Sequence, residues 1–209
     1  MTAGGGSGLQ SAAPVRVVLA SHNAHKLEEL RRILGPLIPG VELIGYDGPE
    51  PVENGLSFEE NALIKARAAA AHTGLPAIAD DSGIAVDVLG GSPGIFSARW
   101  GGPARDDRAN VDLLLWQLTD VADAHRAGSF VCAAALALPD GDEIAVRGVW
   151  EGRILREPRG AGGFGYDPVF QPTGETRSAA ELTAAEKDAA SHRTRAFTAL
   201  APEILARVV

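Results

Sequence analysis

The chain has 209 residues, a formal net charge of −8 and 45% hydrophobic residues, an apolar share ordinary for a single folded domain. Its one cysteine, Cys132, excludes an internal disulfide, and with it a disulfide-stapled secreted scaffold or a Cys-rich zinc module; a reducing, cytoplasmic setting fits. The acidic balance argues against a nucleic-acid polymer as partner, because binding a phosphate backbone wants a basic face, but it leaves room for a small phosphorylated ligand held by a few local cations.

Residues 1–14 are small and polar, with the run Gly4-Gly5-Gly6-Ser7-Gly8, and read as a flexible tail. They lack the charged start and apolar core of a signal peptide, and no later segment has the apolar length of a membrane helix. Residues 15–209 remain for one domain. It opens with Val15-Arg16-Val17-Val18-Leu19-Ala20, a β-branched apolar run suited to a buried strand. Polar residues 21–26 follow, then Leu27, Leu30, Ile33 and Leu34 at helical spacing, stopped by Gly35-Pro36. Such a strand–turn–helix unit presents free backbone N–H groups at a helix N-terminus, a natural anion site.

Residues 41–46 predict a second strand. A loop carrying Asp47, Glu50 and Glu53 leads to Ser57-Phe58-Glu59-Glu60, which has capping-box spacing. An alanine-rich helix runs on to Ala71, with Gly74 suited to cap its end. Ala77-Ile78-Ala79 reads as a short buried strand that delivers Asp80-Asp81-Ser82-Gly83 at its end, with extended chain resuming at Ile84. Residues 108–118 predict a helix, and residues 130–138 and 143–150 an antiparallel hairpin around Pro139-Asp140-Gly141-Asp142. Thr183 with Glu186, and then Ser191, mark two further helix starts, the last helix running to about Ala206. Strands alternating with helices, plus one hairpin, predict an α/β fold with a mixed sheet flanked by helices.

Four segments carry candidate chemistry. Asp80 and Asp81 are adjacent carboxylates that repel unless a cation is near; a hard divalent cation takes one or two carboxylates plus substrate phosphates, while the same residue types also suit an ordinary turn. Glu53 is a candidate third carboxylate. In Ser21-His22-Asn23-Ala24-His25-Lys26, the lysine in the first helical turn opposes the macrodipole, a conflict that a bound anion relieves, with Ser21 and Asn23 as donors. His22 and His25 have no third nitrogen or sulfur ligand nearby, which argues against zinc.

Gly160-Ala161-Gly162-Gly163-Phe164-Gly165 matches G-x-G-x-x-G as a pattern, but no strand precedes it and Pro168 disfavours helix at Asp167. It reads instead as a loop that lets backbone approach a ligand, with Phe164 or Tyr166 offering a ring. Lys187 and Ser191-His192-Arg193 gather cationic groups around a helix start, a solvated basic patch on the plainer reading. No Walker pattern is present.

Together these segments resemble the inosine-triphosphate pyrophosphatase family, which hydrolyses non-standard purine nucleoside triphosphates. The resemblance spans residues 15–205. It is carried by residues 21–26, by Phe58-Glu59-Glu60-Asn61-Ala62 with Lys65-Ala66-Arg67, and by Ala79-Asp80-Asp81-Ser82-Gly83 continuing to Gly90-Gly91-Ser92-Pro93-Gly94-Ile95-Phe96-Ser97-Ala98-Arg99. Gly163-Phe164-Gly165-Tyr166-Asp167-Pro168, and Glu186-Lys187 with Ser191-His192-Arg193, complete it.

The resemblance implies an elongated, two-lobed fold with its active site in the cleft, a homodimer, and Mg2+ as cofactor. It implies that Ser21, His22, Asn23, Ala24, His25 and Lys26 hold the triphosphate, and that Glu53 and Asp81 bind the metal. Asp81 would accept the proton, and Ser82, Phe164, Gly165, Tyr166, Asp167, Lys187, His192 and Arg193 would contact substrate. The family usually carries glycines where this chain has His22 and His25. Chemistry alone leaves open which of Asp80 and Asp81 ligates and which acts as base. The alternatives are a related pyrophosphatase acting on other modified or general nucleoside triphosphates, and a nucleotide sensor without turnover.

Overall fold

The β-branched run that opens the domain forms strand β1 (Val15–Leu19), with Val17, Val18 and Leu19 buried, and α1 (Ala24–Leu34) follows it through a short turn. The computed structural model describes residues 13–22 and 24–209. Residues 1–12, on which most of the expected tail falls, and Asn23 lie outside the described residues, as do the side chains of Ala24 and His25.

Strand β2 (Val41–Ile44) pairs parallel to β1. Helix α2 (Phe58–Thr73) begins where expected: the Ser57 hydroxyl accepts from Glu60 N at 3.1 Å, and Gly74 closes the helix in the left-handed region. Then come β3 (Ala77–Val86), α3 (Asp107–Gln117), and the hairpin of β4 (Ala127–Ala137) and β5 (Glu143–Ile154). The chain ends with β6 (Phe170–Pro172), α4 (Ala184–Ala190) and α5 (His192–Val208). The six strands make one sheet in the order β2-β1-β3-β4-β5-β6, parallel from β2 to β3 and antiparallel from there on, so the mixed α/β architecture is borne out. Strand β6 and the short 3-10 helix Gly94–Arg99 lie outside the expected elements; both are too short to leave a periodic signal.

One expectation is corrected. The strand does not stop at Ala79: β3 runs unbroken for 10 residues through the acidic pair, with Asp80 opposite Ala134 and Asp81 opposite Ala133 of β4. Successive side chains of a strand point to opposite faces, so the two carboxylates are separated by the sheet instead of being crowded together. The same alternation sorts the core. Val17, Leu19, Ile78, Cys132 and Leu136 face α1 and α5, while Val18, Ala77, Ala79, Ala133 and Ala135 face the alanines of α2. Small side chains on both partners let α2 lie close to the sheet. The far halves of the long strands enter a third cluster, in which Ile84, Phe130, Trp150 and Phe170 pack with Leu114 of α3. Among the described residues, no helix is long and apolar enough to cross a membrane.

Candidate active site

Asp80, on the α1/α5 face, is nearly sealed from solvent, its side chain 1% exposed. Lys26 Nζ from the first turn of α1 lies 2.5 Å from Oδ1, and Arg193 Nε from the first turn of α5 lies 3.6 Å from Oδ2. Burial alone would raise this carboxyl; Lys26 and Arg193 outweigh it and hold the carboxyl down to about 2. The anion expected to relieve Lys26 at the helix start is therefore supplied, in this structure, by the protein itself. Arg193 Nη1 also donates to both Glu29 oxygens, at 3.1 and 3.3 Å. Cys132 Sγ stands 4.0 Å from Asp80 Oδ2, and burial first, with Asp80 adding, pushes that thiol up and keeps it protonated.

Asp81, on the α2 face, meets a different set. Its Oδ2 accepts from Asn61 Nδ2 at 3.1 Å, its Oδ1 from Ser82 N at 3.1 Å, and Lys65 Nζ lies 3.6 Å from Oδ1. Lys65 reaches Glu53 as well, at 3.2 Å, so one ammonium spans the two carboxylates. Burial raises the Asp81 carboxyl above its ordinary value; Lys65 and Asn61 pull it down without overturning the rise, to which Glu53 and Asp80 add. A cation position between Glu53 and Asp81 thus exists and is taken by Lys65. Among the described residues no three His, Cys, Asp or Glu side chains converge, so the protein by itself makes no closed cage. Two carboxylates with room for substrate oxygens are the donor set a hard divalent ion accepts, and the residues fit one.

The acidic loop is tied back to the first turn. The two ring nitrogens of His22 lie 2.8 Å from the Gly48 carbonyl oxygen and 3.0 Å from Glu50 Oε1, and its ring stacks on Tyr46 at 5.8 Å.

Beside this array, on the Asp80 face, opens a cavity of about 670 Å³ lined by Ser82 and Gly83 of β3, Phe130 of β4, the glycine loop and the starts of α4 and α5. The glycine loop is cross-braced. Asp167 Oδ2 accepts from Phe164 N at 2.8 Å and from Lys187 Nζ, Asp107 Oδ2 accepts from Gly165 N at 2.9 Å, and Tyr166 OH donates to Ser97 O at 2.9 Å. Phe164 stays 64% exposed, with the Lys187 ammonium 4.9 Å from its ring centroid. His192 stacks on Phe130 at 4.9 Å, and burial, reinforced by Arg193 and Lys187, keeps the imidazole neutral. His192 Nδ1 is buried without a hydrogen-bond partner, and Arg193 Nε, likewise buried, faces the Asp80 carboxylate at 3.6 Å, too far for a hydrogen bond.

Gly83 allows the wall of the cavity to close. A Cβ there would stand 2.4 Å from Ser97 Oγ and 2.5 Å from the Gly94 carbonyl oxygen. Gly83→Ala is expected to cost ~2 kcal/mol by overpacking and to lower the thermal midpoint by roughly 4–8 °C, as read by scanning calorimetry.

The structure therefore brings Lys26, Asp80, Ser82, Phe164, Gly165, Tyr166, Asp167, Lys187, His192 and Arg193 to one face of the sheet, and Glu53, Asp81 and His22 to the other. Ser21, directly after β1, lines a small cavity with His22, Glu53 and Lys65. Sequence reasoning missed Lys65, Asn61 and Glu29 as members of these sets. The signal was there: Asn61 and Lys65 are one helical turn apart, as are Lys26 and Glu29, so each pair presents polar groups together on one helix face.

Comparisons with known proteins agree with this fold. A Leifsonia xyli subsp. xyli protein named dITP/XTP pyrophosphatase is 57% identical over 192 residues, covering 92% of this chain and 96% of that protein. A Frankia alni protein of the same name is 59% identical over 194 residues, covering 90% and 96%. Among solved structures, a Mycobacterium abscessus protein described as a nucleoside-triphosphatase, dITP/XTP pyrophosphatase, superposes with a TM-score of 0.76 at 53% identity, covering 90% of this chain and 100% of that one. A Coxiella burnetii HAM1 protein superposes with a TM-score of 0.84 at 42% identity, covering 91% and 98%. With residues 17–203 matching the Ham1 family, this chain belongs to the Ham1 family.

Proposed function

We propose that this protein hydrolyses non-standard purine nucleoside triphosphates, ITP, dITP and XTP, to the monophosphate and pyrophosphate. The observation that carries the reading is the junction of a nucleoside-sized cavity with a split pair of carboxylates on β3, one held by two cations and the other facing Glu53. The names of relatives above 50% identity support the substrate class.

Glu53 and Asp81 would hold the divalent cation, taken as Mg2+ from the all-oxygen donor set. When bound it neutralises charge on the phosphate oxygens. The chain's own part divides along the sheet. Asp81, anchored by Asn61 and Ser82 N and raised by burial, takes the proton of the attacking water. Lys65 and Lys26 lie on the two faces of β3 beside its carboxylates and stabilise the charge that builds on the phosphates. Asp80 fixes Lys26 and Arg193 in place. Lys187 and Arg193, each oriented by a carboxylate, offer N–H donors that suit the 6-oxo group of hypoxanthine or xanthine and mismatch the 6-amino group of adenine. Phe164 offers an exposed ring for the base. The same reading takes residues 15–209 as the catalytic domain, a homodimer as the assembly and the cytoplasm as the location, the last consistent with a single buried cysteine.

A substrate panel tests it. With Mg2+, pyrophosphate release from ITP and XTP should exceed that from ATP by ~10⁴-fold or more in kcat/KM, the scale set by unpaired donors in a base pocket. Equal kcat/KM for ATP and ITP refutes the specificity, and orthophosphate as product refutes the bond cleaved.

A further inference from the structure

The stretch Phe58-Glu59-Glu60-Asn61-Ala62 carries much of the family resemblance, yet the chemistry above uses its asparagine only as an anchor for Asp81. Asn61 is 2% exposed and bonded at both ends of its amide: Oδ1 accepts from Gly55 N at 2.9 Å, and Nδ2 donates to Asp81 Oδ2 at 3.1 Å. The two ends are not interchangeable. A backbone N–H only donates and a carboxylate only accepts, so one orientation satisfies both contacts and a flipped amide breaks both. Gly55 is the residue that permits the approach: a Cβ there would stand 2.7 Å from Glu60 Cβ and 2.8 Å from Asn61 Oδ1. Two residues upstream of Gly55 on the same loop is Glu53, and Leu56 N adds a second tie, to Glu60 Oε2 at 2.5 Å.

We propose that Asn61 is a positioning residue that sets Glu53 and Asp81 against one another: a single side-chain amide seats the loop bearing Glu53 through Gly55 and aims the Asp81 carboxylate, so that both reach the cation position that Lys65 now spans. The proposal rests on the reading of this site as a metal-assisted phosphate-hydrolysing centre. Asn61 acts through Asp81 and through the loop that carries Glu53. Its effect passes through the separation of two carboxylates, and a displacement of about 1 Å in such a constellation costs ~10²-fold in rate.

The test compares wild type with Asn61→Leu, which keeps the volume and removes both bonds without adding charge, and with Gly55→Ala, which breaks the same tie from the loop side. Two properties are read: kcat and KM for ITP with Mg2+, and Mn2+ affinity of the protein by electron paramagnetic resonance. In Asn61→Leu, kcat is expected to fall ~10–100-fold with KM within about threefold, and the Mn2+ dissociation constant to rise at least about fivefold. Gly55→Ala shifts both the same way, and the double variant is no worse than the worse single variant, because both act on one tie.

A role in folding alone predicts a lower thermal midpoint with kcat per folded molecule and Mn2+ affinity unchanged. That result, or unchanged Mn2+ affinity in both variants, overturns the proposal. Should Asn61→Leu fail to fold, Gly55→Ala decides by the same criteria. Should the wild type release pyrophosphate from no purine triphosphate, the proposed function fails while the Mn2+ titration still decides the role of Asn61.

Discussion

Asp81→Asn is expected to lower the turnover of ITP by at least ~10²-fold, the usual scale for loss of a general base, while the protein stays folded. The substitution keeps the shape of the side chain and an oxygen able to accept from Asn61 Nδ2. Lys65 retains Glu53 at 3.2 Å as a charge partner, so no ammonium is left stranded. What is lost is one negative charge at the proposed metal position and the proton acceptor. Pyrophosphate release measured at saturating ITP, beside a thermal melt of the same sample, separates the two effects. Near-normal kcat with an unchanged melt would remove Asp81 from the chemistry and leave it as a strand residue with an unusual neighbourhood.

The second large effect is on stability. Asp80→Ala is expected to cost about 3–5 kcal/mol, the range for removing one member of a buried ion pair, because Lys26 and Arg193 lose the carboxylate between them. Arg193 keeps Glu29 as a second charge partner. At this chain length the thermal midpoint should fall by roughly 6–20 °C.

Acid titration gives an independent check. Folding lowers the Asp80 carboxyl from 3.8 to about 2, so between those values the unfolded chain binds more protons than the folded one. The stability this group adds is complete above its unfolded value and is lost as the pH falls toward the folded one. Wild type should therefore lose stability more steeply than Asp80→Ala on acidification through that window, as measured by urea unfolding at a series of pH values. Parallel curves would mean that Asp80 does not hold the charge the geometry gives it.

Much of the fold was legible because the signals are local. Ser57, Thr183 and Ser191 cap helices where their spacing says they should, and the β-branched run at residue 15 and the apolar runs flanking Pro139 became strands. The acidic pair misled for a physical reason. Asp is disfavoured in strands, and Gly83 follows, so a turn was the cheapest local explanation. Only neighbours distant in sequence, Lys26 and Arg193 on one side and Asn61 and Lys65 on the other, make ten residues of continuous strand tolerable.

Net charge divides the same way. Composition by itself excluded an internal disulfide, since the chain has one cysteine, and the ordered motifs determined its family. Tertiary structure alone decided that Asp80 pairs most closely with Lys26 and Arg193 while Asp81 meets Asn61 and Lys65. Strand alternation sends neighbours in sequence to opposite faces, and which cation waits on each face depends on helices joined to the sheet by loops, which no local pattern encodes.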